Sequence, residues 1–239
     1  MDQISALFQG WDSAMVRACL QGRMGCVLPR GRESALACLG DFCFLAGRPV
    51  RELLERADRP ILVPGNSGWE ELIAKTLGER AAPFTRYALR HEPERFDRDK
   101  LNCFITSLPR GFILTSICEE DYPALMAQDW SRDLCGNFAD GADFASRGIG
   151  TVVLWEGRPV AGAASYAVCE GEIEIEIGTA PRFRRRGLAA ACGARLILNC
   201  LDRGLYPCWD AHDRRSLALA EKLGYRLLRP YTAYRVVEQ

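Results

Sequence analysis

Between an alternating run, Glu172-Ile173-Glu174-Ile175-Glu176-Ile177, and a helical run from Leu188 to Arg203 stands the hexapeptide Arg184-Arg185-Arg186-Gly187-Leu188-Ala189. The alternation is that of a strand with one apolar face. The stripe Leu188, Cys192, Leu196 and Cys200 is that of a helix with one apolar face, stopped at Gly204. A strand that passes through a glycine into a helix lets the backbone approach whatever sits before the helix. There the first N–H groups lack intrahelical partners, and the helix dipole adds positive potential. Three arginines just ahead add donors suited to phosphate. The stretch therefore predicts a cradle for a pyrophosphate, and with it a nucleotide-bearing cofactor.

Strand-like and helical segments alternate along the rest of the chain. An amphipathic first helix carries Ile4, Phe8, Trp11, Met15 and Cys19. Residues 35–45 read as strand, 50–57 as helix, 61–63 as strand, 69–77 as helix and 84–89 as strand. A charged stretch around His91 and Pro93 reads as a connector. Beyond it come a strand at 112–116, helices near 122–128 and 140–146, and strands at 151–155, 160–168 and 172–179. Glu156-Gly157-Arg158-Pro159 is turn chemistry joining two of these strands. After the glycine loop come a strand at 206–211, a helix at 214–223 capped by Asp213 and ended by Gly224, and strands at 225–228 and 231–237. The class is mixed α/β, an α+β arrangement with a mixed sheet.

The chain of 239 residues has 31 basic and 31 acidic side chains, so its net charge is zero. A dedicated nucleic-acid binder shows a basic excess, and Phe183-Arg184-Arg185-Arg186 has no second basic, aromatic cluster to complete a strand-binding surface. No stretch approaches the ~20 apolar residues of a membrane span. Met1-Asp2-Gln3-Ile4 has neither the basic start nor the apolar core of a signal peptide, so the expected location is cytoplasmic. Eleven cysteines occur without a CxxC pair, alongside only His91 and His212. Zinc sites need tight ligand pairs, so no metal is expected, and the cysteines read as small, buried, reduced core residues.

One internal correspondence spans the chain. At a spacing of 147 residues Pro60 matches Pro207, Asn66 matches Asp213, Leu72 matches Leu219 and Lys75 matches Lys222. At the same spacing Phe84-Thr85-Arg86-Tyr87 matches Tyr231-Thr232-Ala233-Tyr234. Both segments read strand, polar cap, helix, glycine, strand. The expectation is that the first third is a degenerate copy of the last, with shared αβ grammar as the plainer alternative. At that spacing the cradle maps onto Ala37-Cys38-Leu39-Gly40-Asp41, where the arginines are gone and an acid has entered.

The glycine loop and the unit Trp209-Asp210-Ala211-His212-Asp213-x-x-Ser216-x-x-Leu219-Ala220-Glu221-Lys222-Leu223-Gly224-Tyr225 together resemble the GNAT superfamily of N-acetyltransferases. Its phosphate loop reads [Q/R]-x-x-G-x-[G/A], and its next helix reads N-x-x-[S/A]-x-x-L-Y-E-K-x-G-[F/Y]. The resemblance covers about 110–239, and its phrasing is similar to a branch that includes the zwittermicin A resistance acetyltransferase. It implies a GNAT fold with a catalytic domain at 111–239, a connector at 93–110 and an N-terminal α/β domain, the degenerate GNAT-like copy, at 1–92. It also implies acetyl-CoA as cofactor. Arg184, Arg185, Arg186, Gly187, Leu188 and Ala189 would hold the coenzyme A pyrophosphate. Ile177, Gly178 and Thr179 would pair with pantetheine and meet the acetyl carbonyl, and Asp213 and Ser216 would lie beside pantetheine.

Two departures stand out. Asp213 replaces asparagine, and Ala220 stands where many members place the tyrosine that protonates the departing thiolate. Ser216, Tyr225, His212 and a water remain as acids. A base is also needed, because an amine arrives as ammonium. Glu172, Glu174 and Glu176 share one strand face, and Glu174 and Glu176 lie nearer the loop; the plainer reading of each is a solvated acid. Trp130 and Phe138 read as acceptor-pocket lining or as core. The implied reaction is direct acetyl transfer to a small polar amine. The alternatives are transfer to a protein amine or a non-catalytic acyl-CoA-binding regulatory module. Exposed edge strands and the extra domain permit a homodimer.

Overall fold

The structure is a computed structural model that describes residues 3–237; Met1 and Asp2, read above as the start of an unleadered chain, lie outside them. The chain opens with α1 (Gln3–Leu7) and α2 (Ala14–Leu20), then a meander of β1 (Cys26–Arg30), β2 (Ser34–Leu39) and β3 (Phe42–Gly47). A short α3 (Arg51–Leu54) leads to β4 (Ile61–Pro64), α4 (Ser67–Leu77), β5 (Ala81–Leu89) and α5 (Arg98–Thr106). β6 (Phe112–Ser116) is followed by α6 (Tyr122–Met126), α7 (Arg132–Cys135) and α8 (Gly141–Arg147). A second meander comprises β7 (Gly150–Trp155), β8 (Arg158–Cys169) and β9 (Glu172–Thr179). Then come α9 (Leu188–Asp202), β10 (Tyr206–Cys208), β11 (Asp210–Ala211), α10 (Arg214–Leu223) and β12 (Leu227–Val236).

The described residues form a five-stranded sheet, β10-β9-β8-β7-β6, and a seven-stranded sheet, β1-β2-β3-β4-β12-β5-β11. Ile173 and Ile175 of β9 point into a core shared with α9, so Glu172, Glu174 and Glu176 face the other way. α9 lies close to the sheet because its inner face is small: a Cβ on Gly193 would stand 2.8 Å from Leu223 and 3.1 Å from Ile177. The parallel pairing of β9 with β10 ends at Glu174 and Cys208. Past Trp209 the chain leaves β9, and β11 pairs antiparallel with β5 instead. The two sheets thus part along the second half of β9, leaving Ile175–Thr179 without a partner strand on that side.

From the meander onward the two halves share an order of elements: β1-β2-β3-α3-β4-α4-β5 in the first and β7-β8-β9-α9-β10-β11-α10-β12 in the second, where β10 and β11 stand in place of one strand. β3 and β4 pair in parallel, as do β9 and β10. Asn66 caps α4 by accepting from the Trp69 N–H, and Asp213 caps α10 by accepting from the Ser216 N–H, at the 147-residue spacing. The last strand of each half crosses to the other: β12 pairs with β4, and β5 pairs with β11. β5 and β12 then pair with each other antiparallel, Phe84 opposite Ala233, Thr85 opposite Thr232 and Arg86 opposite Tyr231. Within β5 and β12 the residues matched in sequence are therefore neighbours in space, and a local two-fold axis runs through the Thr85–Thr232 pair.

Several expectations are corrected. Residues 4–19 form two helices, because the backbone turns left-handed at Gly10 (φ +86°) and Ser13 caps a new start. The run 35–45 is a hairpin turning at Gly40; it is buried on both faces, which erased the alternation that marks a turn. The cradle at constant spacing was mapped to Ala37–Asp41, but those residues lie in β2 and its turn. The topological counterpart is the loop between β3 and α3, because α3 has four residues where α9 has fifteen. The stretch 93–110 holds a helix, α5, packed on α9. Strands expected at 225–228 and 231–237 are one strand, β12, with a bulge between Leu227 and Arg229. Cys38 and Cys43, expected reduced, lie opposite each other in the hairpin and form a disulfide. Cys26, Cys103 and Cys118 are exposed rather than buried. Among the described residues, no helix is long and apolar enough to cross a membrane.

Candidate active site

The glycine loop joins β9 to α9. The backbone is left-handed at Arg185 (φ +64°) and at Gly187 (φ +82°), the residue that caps α9. These turns aim successive amides outward, the arrangement of an anion-binding nest. Among the described residues, the N–H groups of Arg185 through Ala190 have no acceptor in the protein, and the next one, of Ala191, bonds to the Gly187 carbonyl. Arg184 donates to the Thr179 carbonyl, and Arg186 lies over the Phe183 ring. Nothing occupies the space above Gly187 within 4 Å of an added Cβ. Free amides, guanidinium groups that have no carboxylate partner among the described residues, and open space fit a pyrophosphate.

From this cradle the parted strands lead to a cavity of about 540 Å3, lined on the side of the glycine loop and α10 by Ile175, Ile177, Arg184, Asp213 and Ser216. Gly178 is glycine because the Trp130 carbonyl stands 2.3 Å from where its Cβ would be. Trp130 is thus packed on the end of β9, and Phe138 is core.

The three glutamates on the outward face of β9 have different fates. Glu172 is held by Arg17 (2.6 Å to Nε) and by His91 (3.2 Å), so it is structural. Glu174 is 4% exposed, and its Oε1 accepts the Asp210 N–H at 2.8 Å, fixing the kink between β10 and β11. Glu176 opens onto the cavity. Burial pushes Glu174 up to about 8, with Asp210 adding to the shift. Burial likewise pushes Glu176 up to about 7, with Asp133 and Asp41 adding to it and Arg86 opposing it.

The N-terminal half supplies residues that sequence reasoning assigned no role. Arg86 on β5 is 6% exposed; its Nε donates to Asp210 Oδ1 at 2.7 Å, and it also meets the Asp210 carbonyl and His212 Nδ1 at 3.2 Å. Tyr231 donates to the other Asp210 oxygen at 2.5 Å. Asp41 and Phe42 reach the cavity from the β2–β3 turn. A lone arginine in an otherwise apolar strand was the available signal for Arg86; nothing local marked Asp41.

The candidate acids also separate. Tyr225 is buried and donates to the Pro207 carbonyl at 2.7 Å, out of the cavity, and Ala220 is fully buried. His212 lies in the cavity but is pushed below its ordinary value by burial and then by Arg86 and Arg235. Ser216 Oγ accepts the Trp209 indole N–H at 3.3 Å, which leaves its own proton free to be donated elsewhere.

The raised glutamates make stability pH-dependent. In the unfolded chain both ionise near 4.5. Folded, they keep their protons until about 7 and 8, so folding takes up protons in that window. Their contribution is full below about 4.5 and is lost as pH rises through those values. Glu174→Gln keeps the acceptor for the Asp210 N–H and has no charge to bury. Its melting temperature should gain on the parent between pH 5 and pH 9, at about 2–4 °C per kcal/mol for a chain of this size. A constant difference across that range would show that Glu174 is ionised in the folded protein.

A second cavity, of about 410 Å3, opens at the start of α4, where the two-fold axis places the counterpart of the first. Here the parallel strands do not part. β3 and β4 stay paired through Leu45 and Pro64, and the Gly65 N–H bonds to the Leu45 carbonyl.

Residues 5–234 match a family model described as GNAT acetyltransferase, which therefore spans both halves. A Bacillus subtilis (strain 168) protein named Uncharacterized N-acetyltransferase YdfB is 28% identical over 195 residues, covering 80% of this chain and 71% of that one. A solved structure of a GCN5-related N-acetyltransferase-like protein from Streptococcus suis 89/1591 superposes with a TM-score of 0.95 at 43% identity, covering 98% of this chain and 97% of that one. A GCN5-related N-acetyltransferase from Kribbella flavida shares the fold, with a TM-score of 0.57 at 18% identity over 95% and 96% of the two chains.

Proposed function

The chain belongs to the GNAT acetyltransferase family and is an N-acetyltransferase, and we propose that it moves an acetyl group from acetyl-CoA directly to the amine of a small polar molecule. The observation that carries this reading is the slot between β9 and β11, with six unpaired amides at one end and Glu176 at the other. Bound acetyl-CoA would supply an activated carbonyl and a thiolate leaving group. Arg184, Arg185, Arg186 and the amides through Ala189 hold its pyrophosphate; the free edge Ile177-Gly178-Thr179 pairs with pantetheine; Asp213 fixes the start of α10 beside it.

Of the two raised carboxyls on this face of β9, one does the proton work. Near neutral pH Glu174 keeps its proton and stays a structural acceptor, while Glu176 ionises because its environment differs. Glu176 takes the proton from the acceptor ammonium, and the Ser216 hydroxyl is placed to protonate the leaving sulfur. Holding both reactants in one cavity supplies much of the remaining rate. The N-terminal half is a degenerate copy of the catalytic half. It has no slot because its strands stay paired, and its role is to wall the acceptor cavity. That wall and the likeness to the zwittermicin A resistance branch support a small acceptor over a protein one.

Release of free coenzyme A thiol with some amine in a broad panel tests the reading. Binding of acetyl-CoA without thiol release from any amine would identify a regulatory binding module instead. Arg184→Ala combined with Gly187→Ala should abolish the melting shift given by acetyl-CoA, and a shift equal to the parent's would place the pyrophosphate elsewhere.

A further inference from the structure

The β2–β3 turn enters the catalytic cavity in a fixed pose. Gly40 is left-handed (φ +53°), and a Cβ there would stand 2.0 Å from the Tyr166 hydroxyl oxygen. The Asp41 N–H donates to that oxygen at 2.8 Å, and Asn137 donates to the Tyr166 carbonyl at 3.0 Å. The turn is thereby latched to β8 of the catalytic half, and the latch uses the backbone of Asp41, leaving its carboxylate free.

The charges lining the cavity pair off unevenly. Arg86 is committed to Asp210, and Arg215 to Asp213 at 3.1 Å. Arg184 belongs to the cradle, and Arg235 lies over the Phe84 ring. Glu174, pushed up to about 8, keeps its proton near neutral pH and accepts the Asp210 N–H. Three carboxylates then remain, from three separate elements: Asp41 on the turn, Asp133 on α7 and Glu176 on β9. Among the described residues none of them has an ion-pair partner. Asp133 is raised by burial and then by Asp41, and Glu176 by burial and then by Asp133 and, more weakly, Asp41. One of the three, Glu176, is already used as the base for the reacting amine. The other two have no assignment in that chemistry, and one comes from the half that has no slot of its own.

We propose that Asp41 and Asp133 are specificity-determining residues that hold a second cationic group of the acceptor, so that the preferred substrate is a compact di- or polyamine-like molecule rather than a simple monoamine. The reading rests on the proposed transfer at the same cavity. Asp41 supplies a contact the catalytic half cannot make alone, which accounts for an N-terminal half kept in place without a cofactor slot.

The test uses the full chain and length-matched pairs: 1,3-diaminopropane with propylamine, 1,4-diaminobutane with butylamine, and 1,5-diaminopentane with pentylamine. Thiol release should show a diamine preference in kcat/KM of about tenfold or more, the scale of one well-placed charge pair. In Asp41→Asn that preference should collapse toward one, with the loss in KM for the diamine, and Asp41→Glu should restore part of it. The variant keeps the backbone bond to Tyr166, so the turn stays in place. A second readout needs no turnover: with acetyl-CoA present, diamines should raise the melting temperature of the parent more than monoamines do, and should lose that advantage in Asp41→Asn. Equal responses to both members of each pair, in either assay, overturn the proposal. A diamine-specific melting shift without thiol release from any amine would overturn the transfer reading and leave this one standing.

Discussion

Replacing Glu176 with glutamine should lower kcat/KM for the acceptor by about 10²–10⁴ near pH 7, the usual contribution of a positioned general base. Glutamine keeps the size of the side chain and its place on β9 but cannot take a proton. The parent should also show a limb in its pH profile. A base is active only when ionised, so kcat/KM should rise through about 7, where Glu176 loses its proton, and fall away below it. The variant should lose that limb along with the rate. If it keeps the limb, the proton leaves through water or another group, and Glu176 only shapes the cavity. The variant should fold at least as firmly as the parent, since it no longer buries a group that costs energy to ionise.

Arg86→Met should be the most damaging single change to stability, at about 3–5 kcal/mol, the cost of stripping one partner from a buried ion pair. The guanidinium makes three contacts around Asp210 and His212 and stacks over the Phe42 ring at 4.8 Å. Methionine fills the space but leaves the half-buried Asp210 carboxylate with Tyr231 alone, beside the buried Glu174. Urea denaturation measures the loss directly. Adding Asp210→Asn should return a substantial part of it by removing the stranded charge. A loss below about 1 kcal/mol would mean that the pair behaves as a surface bridge. In the surviving enzyme the Glu176 limb should move to higher pH, because Arg86 opposes the upward shift of that carboxyl.

The strand, loop and helix of the proposed donor side were legible because their signals are local. A strand with alternating faces, a left-handed glycine and a capped helix each leave marks within a few residues, and the boundaries 112–116, 172–179 and 214–223 were read as they stand. On the proposed acceptor side Glu176 was legible as a candidate base, but its convergence with Asp41 and Asp133 on one cavity was not, since that depends on the packing of one half on the other. The hairpin at 35–45 was hidden for a different reason: both of its faces are buried, so periodicity carried no information. The 147-residue correspondence was visible in residue identities, yet the strand pairing around Thr85 and Thr232 depends on tertiary structure alone.

That exchange of final strands governs how the molecule can be made. β12 fills the gap between β4 and β5, and it is built from residues 227–236, synthesised after every other strand and helix described. Until they emerge, the first half carries two strands, β4 and β5, each with an unpaired edge. Pairings of such long sequence separation form slowly and leave sticky edges exposed meanwhile. Growth therefore gives no early working fragment: a chain that stops short of Leu227 leaves both halves unfinished, and truncation at the tail should act on the whole enzyme at once.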